Sequence, residues 1–162
     1  MAVLREQLDL ASERGLPVTL HCLKAWGPLM DCLRGRPRLP RGFLLHSYGG
    51  SAEGVPEWVA LGAYFSVSGH SLQPRKASHA AVLRAIPRDR LLVETDAPDQ
   101  MPPAEWVSHP AVDAHGRPVN APANLPRIAE GLAALLGMPP GELAGCCEAN
   151  WLRFFGRPRS TA

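Results

Sequence analysis

Two histidines and two carboxylates in this chain fall where short apolar runs stop. His21 follows Val18 to Leu20, His46 follows Phe43 to Leu45, and Glu94 and Asp96 close the run in LLVETDAPD. Imidazole and carboxylate are ordinary ligands of a divalent cation such as Zn²⁺ or Mn²⁺. A cation held there could acidify a water and polarise a phosphoryl or carbonyl oxygen, so metal-assisted hydrolysis is the chemistry these residue types suggest. Spacing alone leaves a plainer alternative open. A histidine at a strand end also occurs as a core residue bonded to backbone, and an aspartate near a proline often only makes a turn.

The elements that must position these groups can be read from periodicity. Leu4, Leu8 and Ala11 recur at helical spacing before Gly15 and Pro17, which predicts a first helix. PVTLHC and GFLLHSYGG predict strands ending on His21 and His46, followed by helices around Leu29, Met30 and Leu33 and from about Ser51 to Leu61. GAYFSVSG predicts a third strand reaching Ser68, and RLLVETDAP a fourth, with a helical stretch containing Ala77, Ala80, Ala81 and Leu83 to Ile86 between them. Apolar strands alternating with helices predict βα units and a parallel sheet covered on both faces. The polar residues then collect at the C-terminal ends of the strands, where parallel α/β folds build their sites.

After Pro98 the chain reads as a long loop with Pro102, Pro103, Pro110 and Pro118. Asn120 or Asn124 is expected to cap a helix whose apolar face is Leu125, Ile128, Ala129, Leu132 and Leu136, ended by Gly137. A last helical pair is expected to dock through Trp151, Leu152, Phe154 and Phe155. The whole of residues 1–162 is expected to be one domain.

Composition removes several functions. A formal charge of +2 gives no general pull towards nucleic acid or membrane. No run approaches the roughly 18 apolar residues of a membrane span, and the first residues carry charges where a signal segment would not. The expectation is a soluble intracellular protein, of cytoplasm or nucleus, with no membrane partner. The four cysteines, Cys22, Cys32, Cys146 and Cys147, lack C-x-x-C spacing and are expected to be buried free thiols.

Six stretches carry a family resemblance: LPVTLHC, LLHSYGGS, LGAYFSVSG, IPRDRLLVETDAPD, NAPANLPRIA and EANWLRFFG. In order and spacing the chain resembles the TatD family of metal-dependent deoxyribonucleases over nearly all its length. The resemblance implies an α/β TIM-barrel fold of the amidohydrolase-like group and hydrolysis of phosphodiester bonds in DNA with divalent cations, Mg²⁺, Mn²⁺ or Zn²⁺. It implies that His21, His46 and Asp96 are metal ligands, that Asp96 is catalytic, and that Glu94 orients the site from behind. Tyr48, Arg75, Lys76, Asn120 and Asn124 are candidates for substrate or phosphate contact.

The chain also departs from that family. Its members begin with a strand bearing His-x-His and later contribute a bridging Glu, and neither is found here. A full (β/α)₈ barrel runs to roughly 250 residues, so about four parallel strands alternating with helices are the C-terminal half of one. A half-barrel leaves two edge strands unpaired and inner side chains facing water, which favours association, including a homodimer, through the exposed edges. A piece of a longer chain is the stronger expectation. The alternative functions are a catalytically inactive assembly or binding partner, and an amidohydrolase-like enzyme acting on a small amide or ester.

Overall fold

The computed structural model describes residues 1–76 and 79–156. Ala77, expected in a helix, lies outside the described residues. Helix α1 (Ala2–Arg14) ends at Gly15, whose φ of 60° closes it, with Leu8 and Ala11 buried beneath. Four strands follow in alternation with helices: β1 (Val18–His21), α2 (Trp26–Arg34), β2 (Phe43–His46), α3 (Val55–Leu61), β3 (Ala63–Ser68), α4 (His79–Ala85) and β4 (Leu91–Glu94). All pairings in the order β1-β2-β3-β4 are parallel, as the alternation predicts.

Register decides what each face holds. Leu44 pairs with Tyr64, His21 with His46, Ser66 with Leu92 and Ser68 with Glu94, so these residues share one face by the two-residue period. The other face presents Phe43, Leu45, Phe65, Val67 and Leu91 to Leu29, Leu33, Trp58, Leu83, Ile128 and Leu132 in the main core. Each large side chain so buried contributes roughly 1.5–3 kcal/mol relative to exposure.

The first face corrects in part the expectation that inner side chains would meet water: Thr19 and His21 of β1 are exposed, but the apolar side chains of the other three strands are not. Leu44, Tyr64 and Leu92 are each 6% exposed because Phe154, itself fully buried, closes over them. Phe154 comes from α6 (Pro140–Phe155), one continuous helix where a pair was expected. Trp151, Leu152 and Phe155 stay partly in solvent, so Phe154 alone of the four aromatic and aliphatic candidates docks fully. Asn150 anchors the same helix by donating to the carbonyls of Arg88 and Leu91, both at 2.7 Å.

Other expectations move by a few residues. The helix expected from Ser51 begins at Val55, after a turn. The loop after Pro98 contains a small antiparallel pair, β5 (Ala111–Val112) and β6 (Pro118–Val119). Helix α5 (Leu125–Leu136) ends at Gly137 as predicted, but Leu125 is exposed and the buried stripe is Ile128, Gly131, Leu132 and Ala133. All four cysteines are free; Cys32 is buried, and Cys22, Cys146 and Cys147 only partly so. No described helix is long and apolar enough to cross a membrane.

Candidate functional site

The site is assembled at the C-terminal ends of β1, β2 and β4. Parallel register sets His21 beside His46, with Nδ1 of one 3.3 Å from Nδ1 of the other. The opposite ring nitrogen of His46, Nε2, faces Glu94 Oε2 at 3.2 Å and Asp96 Oδ1 at 3.3 Å. His46 therefore bridges an imidazole on one side and two carboxylates on the other.

A polar net behind these groups fixes them. Ser47 Oγ donates to Glu94 Oε1 at 2.7 Å and accepts from Gln100 Nε2 at 2.8 Å. Gln100 also donates to Asp96 Oδ2, and its Oε1 accepts from Ser68 Oγ. Ser66 Oγ accepts from the Ser47 amide at 3.0 Å. The backbone bends sharply to allow this: Ser47, Asp96 and Gln100 take φ of 46°, 56° and 50°, a region most side chains avoid.

Asn120 and Asn124 hold the loop after Asp96 in place and do not offer phosphate contacts. They are 3% and 0% exposed, respectively. Asn120 Nδ2 donates to the Thr95 carbonyl at 2.8 Å, and Asn124 Oδ1 accepts from the amides of Ser108 and His109. Asn124 Nδ2 closes the pair on Asn120 Oδ1 at 3.1 Å. Asn124 precedes α5 but makes no side-chain cap bond to it, because its amide is already committed to the loop.

Tyr48 is 3% exposed, with its hydroxyl donating to the Ser51 carbonyl at 3.0 Å. Burial pushes its phenol up to about 12. A cavity of about 480 Å³ is lined by His21, His46 and Gln100 together with His70, Lys76 and His79. Lys76 thus shares the cavity with His21 and His46, whereas Asp96 and Glu94 lie outside its wall and Arg75 is exposed and outside it too. Burial, then Lys76 and Arg75, hold His70 below the usual imidazole range; burial, Lys76 and His70 do the same to His79. Neutral His70 and His79 can each both donate and accept.

Sequence reasoning missed Gln100, His70 and His79. Gln100 carried no periodic signal because a turn places it; the two histidines follow β3 at a remove that no strand-end rule covers.

The donor set of two imidazoles and two carboxylates suits a divalent cation. Among the described residues, however, no three histidine, cysteine, aspartate or glutamate groups converge as a cage. The four side chains are instead paired with one another, with His46 between His21 and the two carboxylates.

Comparisons with known proteins agree with this architecture. The profile of the family described as TatD related DNase matches residues 1–156. The 3'-5' ssDNA/RNA exonuclease TatD of Cronobacter sakazakii is 36% identical over 162 aligned residues, covering 97% of this chain and 58% of that protein. The metal-dependent hydrolase YjjV of Escherichia coli is 33% identical, over 96% of this chain and 56% of its own length. The crystal structure of Escherichia coli YjjV, a TatD homologue, superposes with a TM-score of 0.78 at 30% identity, covering 94% of this chain and 55% of that one. A TatD family hydrolase from Entamoeba histolytica shares the fold at 21% identity and a TM-score of 0.73. This chain spans just over half the length of the relatives it matches.

Proposed function

The chain belongs to the TatD related DNase family, and from that premise we propose that it forms the C-terminal half of a metal-dependent phosphodiesterase site acting on DNA. The observation that carries this reading is the row of close contacts His21–His46–Glu94/Asp96 at the ends of parallel strands, whose two histidines line a cavity shared with Lys76. Exonuclease relatives named for single-stranded DNA and RNA support a single-stranded nucleic acid as substrate.

His21, His46 and Asp96 are the residues that would hold Mg²⁺, Mn²⁺ or Zn²⁺. When bound, such an ion supplies Lewis-acid polarisation of a phosphoryl oxygen and a lowered pKa for water. In this reading the Asp96 carboxylate, now 3.3 Å from His46, would orient a water and take its proton. Glu94 accepts from Ser47 and so keeps its second oxygen turned to His46. Lys76, in the wall of that cavity, would meet a phosphate as a point charge. Arg75, exposed beside it, would contact substrate only outside the cavity wall.

Calorimetric titration of the chain with Mn²⁺ and Zn²⁺, with hydrolysis of a fluorescent oligonucleotide on the same sample, tests the reading. Saturable metal binding and hydrolysis, both lost in His46→Ala, are expected. A folded chain that binds no metal and cleaves nothing overturns it. That result would favour a non-catalytic assembly partner, the reading supported by the absence of three converging ligands among the described residues.

A further inference from the structure

The opposite edge of the sheet holds a second cavity, of about 420 Å³, where the strands begin. Its wall contains Arg38, Arg41, Arg90 and Arg153, with Tyr64, and no carboxylate among the described residues. Mostly neutral groups position these guanidiniums. Arg41 Nε donates to the Gly15 carbonyl at 2.9 Å and Nη1 to that of Phe154 at 3.4 Å. Arg153 Nη2 donates to Asn150 Oδ1 at 2.8 Å, and Arg90 stacks over the Tyr64 ring at 5.0 Å. Arg38 lies against Gly62, so closely that a Cβ there would meet its Nε at 2.8 Å. Among the described residues, the one carboxylate paired with any of the four is Asp89, 3.6 Å from Arg90 Nε.

Four like charges around one cavity repel, and packing holds them together without matching counter-charge. Guanidinium forks match phosphate oxygens in pairs, and several forks converging on one space suit linked phosphates better than a single one. We propose that this cavity binds the phosphate groups of a polyanion carrying two or more linked phosphates. The ligand is read by charge and not by base, because Tyr64 is 6% exposed, with Arg90 over its ring and Phe154 packed 5.1 Å away. Among the described residues of the wall, no open aromatic face is left for stacking. The phosphates could come from a free polyphosphate or from a nucleic-acid backbone, and both present the same chemistry.

The test is calorimetric titration of the 162-residue chain with sodium pyrophosphate in metal-free, low-salt buffer, followed by competition with a twelve-residue oligothymidylate. Saturable pyrophosphate binding is expected, at least tenfold weaker in Arg38→Gln and in Arg153→Gln, with Arg38→Lys intermediate because it keeps charge but loses the fork. Both arginines are exposed, so the variants should keep the wild-type circular dichroism spectrum. Displacement of pyrophosphate by the oligonucleotide would identify a backbone as the source, and failure to displace it a free polyphosphate. The proposal is overturned if pyrophosphate does not bind saturably, or if binding is unchanged in both Gln variants. Binding lost instead in His46→Ala would also overturn it, by placing the anion at the other edge. Because the two edges share no side chain, this outcome is separable from failure of the metal-dependent reading.

Discussion

The two edges of the four-stranded sheet are built by opposite rules. Where the strands begin, apolar and amide groups over-determine the structure. Phe154 is fully buried on Leu44, Tyr64 and Leu92, Asn150 takes the Arg88 and Leu91 carbonyls, and Gly42 and Gly62 turn at φ of 71° and 99° to bring the Phe43 amide onto the Gly62 carbonyl. Where the strands end, polar side chains satisfy one another, and Ser47, Asp96 and Gln100 sit at positive φ. Such backbone costs on the order of 1–3 kcal/mol per residue and persists only where neighbours dictate it. Stability and chemistry are thus separated along strands only four to six residues long, which is how a barrel can vary one end without unfolding the other.

The sharpest way to break this contrast is at the strand starts. Phe154→Ala should cost about 3–5 kcal/mol in denaturant unfolding, because the emptied space is walled by three strands that cannot collapse into it. An unchanged midpoint would mean that the inner face is not packed as described. Asn150→Ala should cost less, about 1–3 kcal/mol, by leaving two carbonyls without a donor. Neither should change metal affinity once the loss of folded protein is accounted for, and a specific loss would show that the two edges are coupled.

At the strand ends the expected pattern reverses. Gln100→Ala removes the amide that joins Ser47, Ser68 and Asp96. Under the metal-dependent reading it should weaken Mn²⁺ binding roughly 10–100-fold, as loss of an orienting partner does. The melting temperature should move by only a few degrees. Unchanged affinity with a large fall in stability would make Gln100 part of the core and erase the distinction.

Much of this was legible in the sequence. His21, His46, Ser68 and Glu94 each close an apolar run, and alternation of runs with helical spacing was enough to predict parallel pairing and a shared edge. What could not be read depends on contacts between segments distant in sequence. Asn120 and Asn124 have the composition of helix caps, yet their amides are drawn to the loop at Thr95, Ser108 and His109, a choice that local propensity does not encode. Phe154 is one of several neighbouring apolar side chains, and only its contact with Leu44, Tyr64 and Leu92, distant in sequence, selects it for burial over Trp151 and Phe155. Arg38, Arg41, Arg90 and Arg153 look like scattered surface charges until parallel register brings the beginnings of β2, β3 and β4 together.

Tyr48 tests whether any residue belongs to both regimes. It follows His46 and Ser47 and borders the cavity, yet its ring packs edge-on against Trp26 at 4.9 Å and Phe65 at 5.1 Å. Tyr48→Phe removes one hydrogen bond to Ser51 and should cost about 0.5–1.5 kcal/mol. Metal binding and cleavage should be unaltered. The pH dependence gives a second readout. Burial raises the phenol from 10.0 to about 12, so the folded state favours the neutral form; that stabilisation is complete below pH 10 and is lost as pH rises towards 12. Burial of Cys147, raised from 9.0 to about 11, acts in the same direction over pH 9–11. Wild-type stability should therefore fall from pH 9 to 12, and Tyr48→Phe should flatten the upper part of that fall while leaving the part due to Cys147. A fall just as steep between pH 10 and 12 in the variant would assign it to other groups. Cleavage lost at unchanged stability would instead make the hydroxyl a substrate contact, and the chemistry would then reach one residue into the packed core.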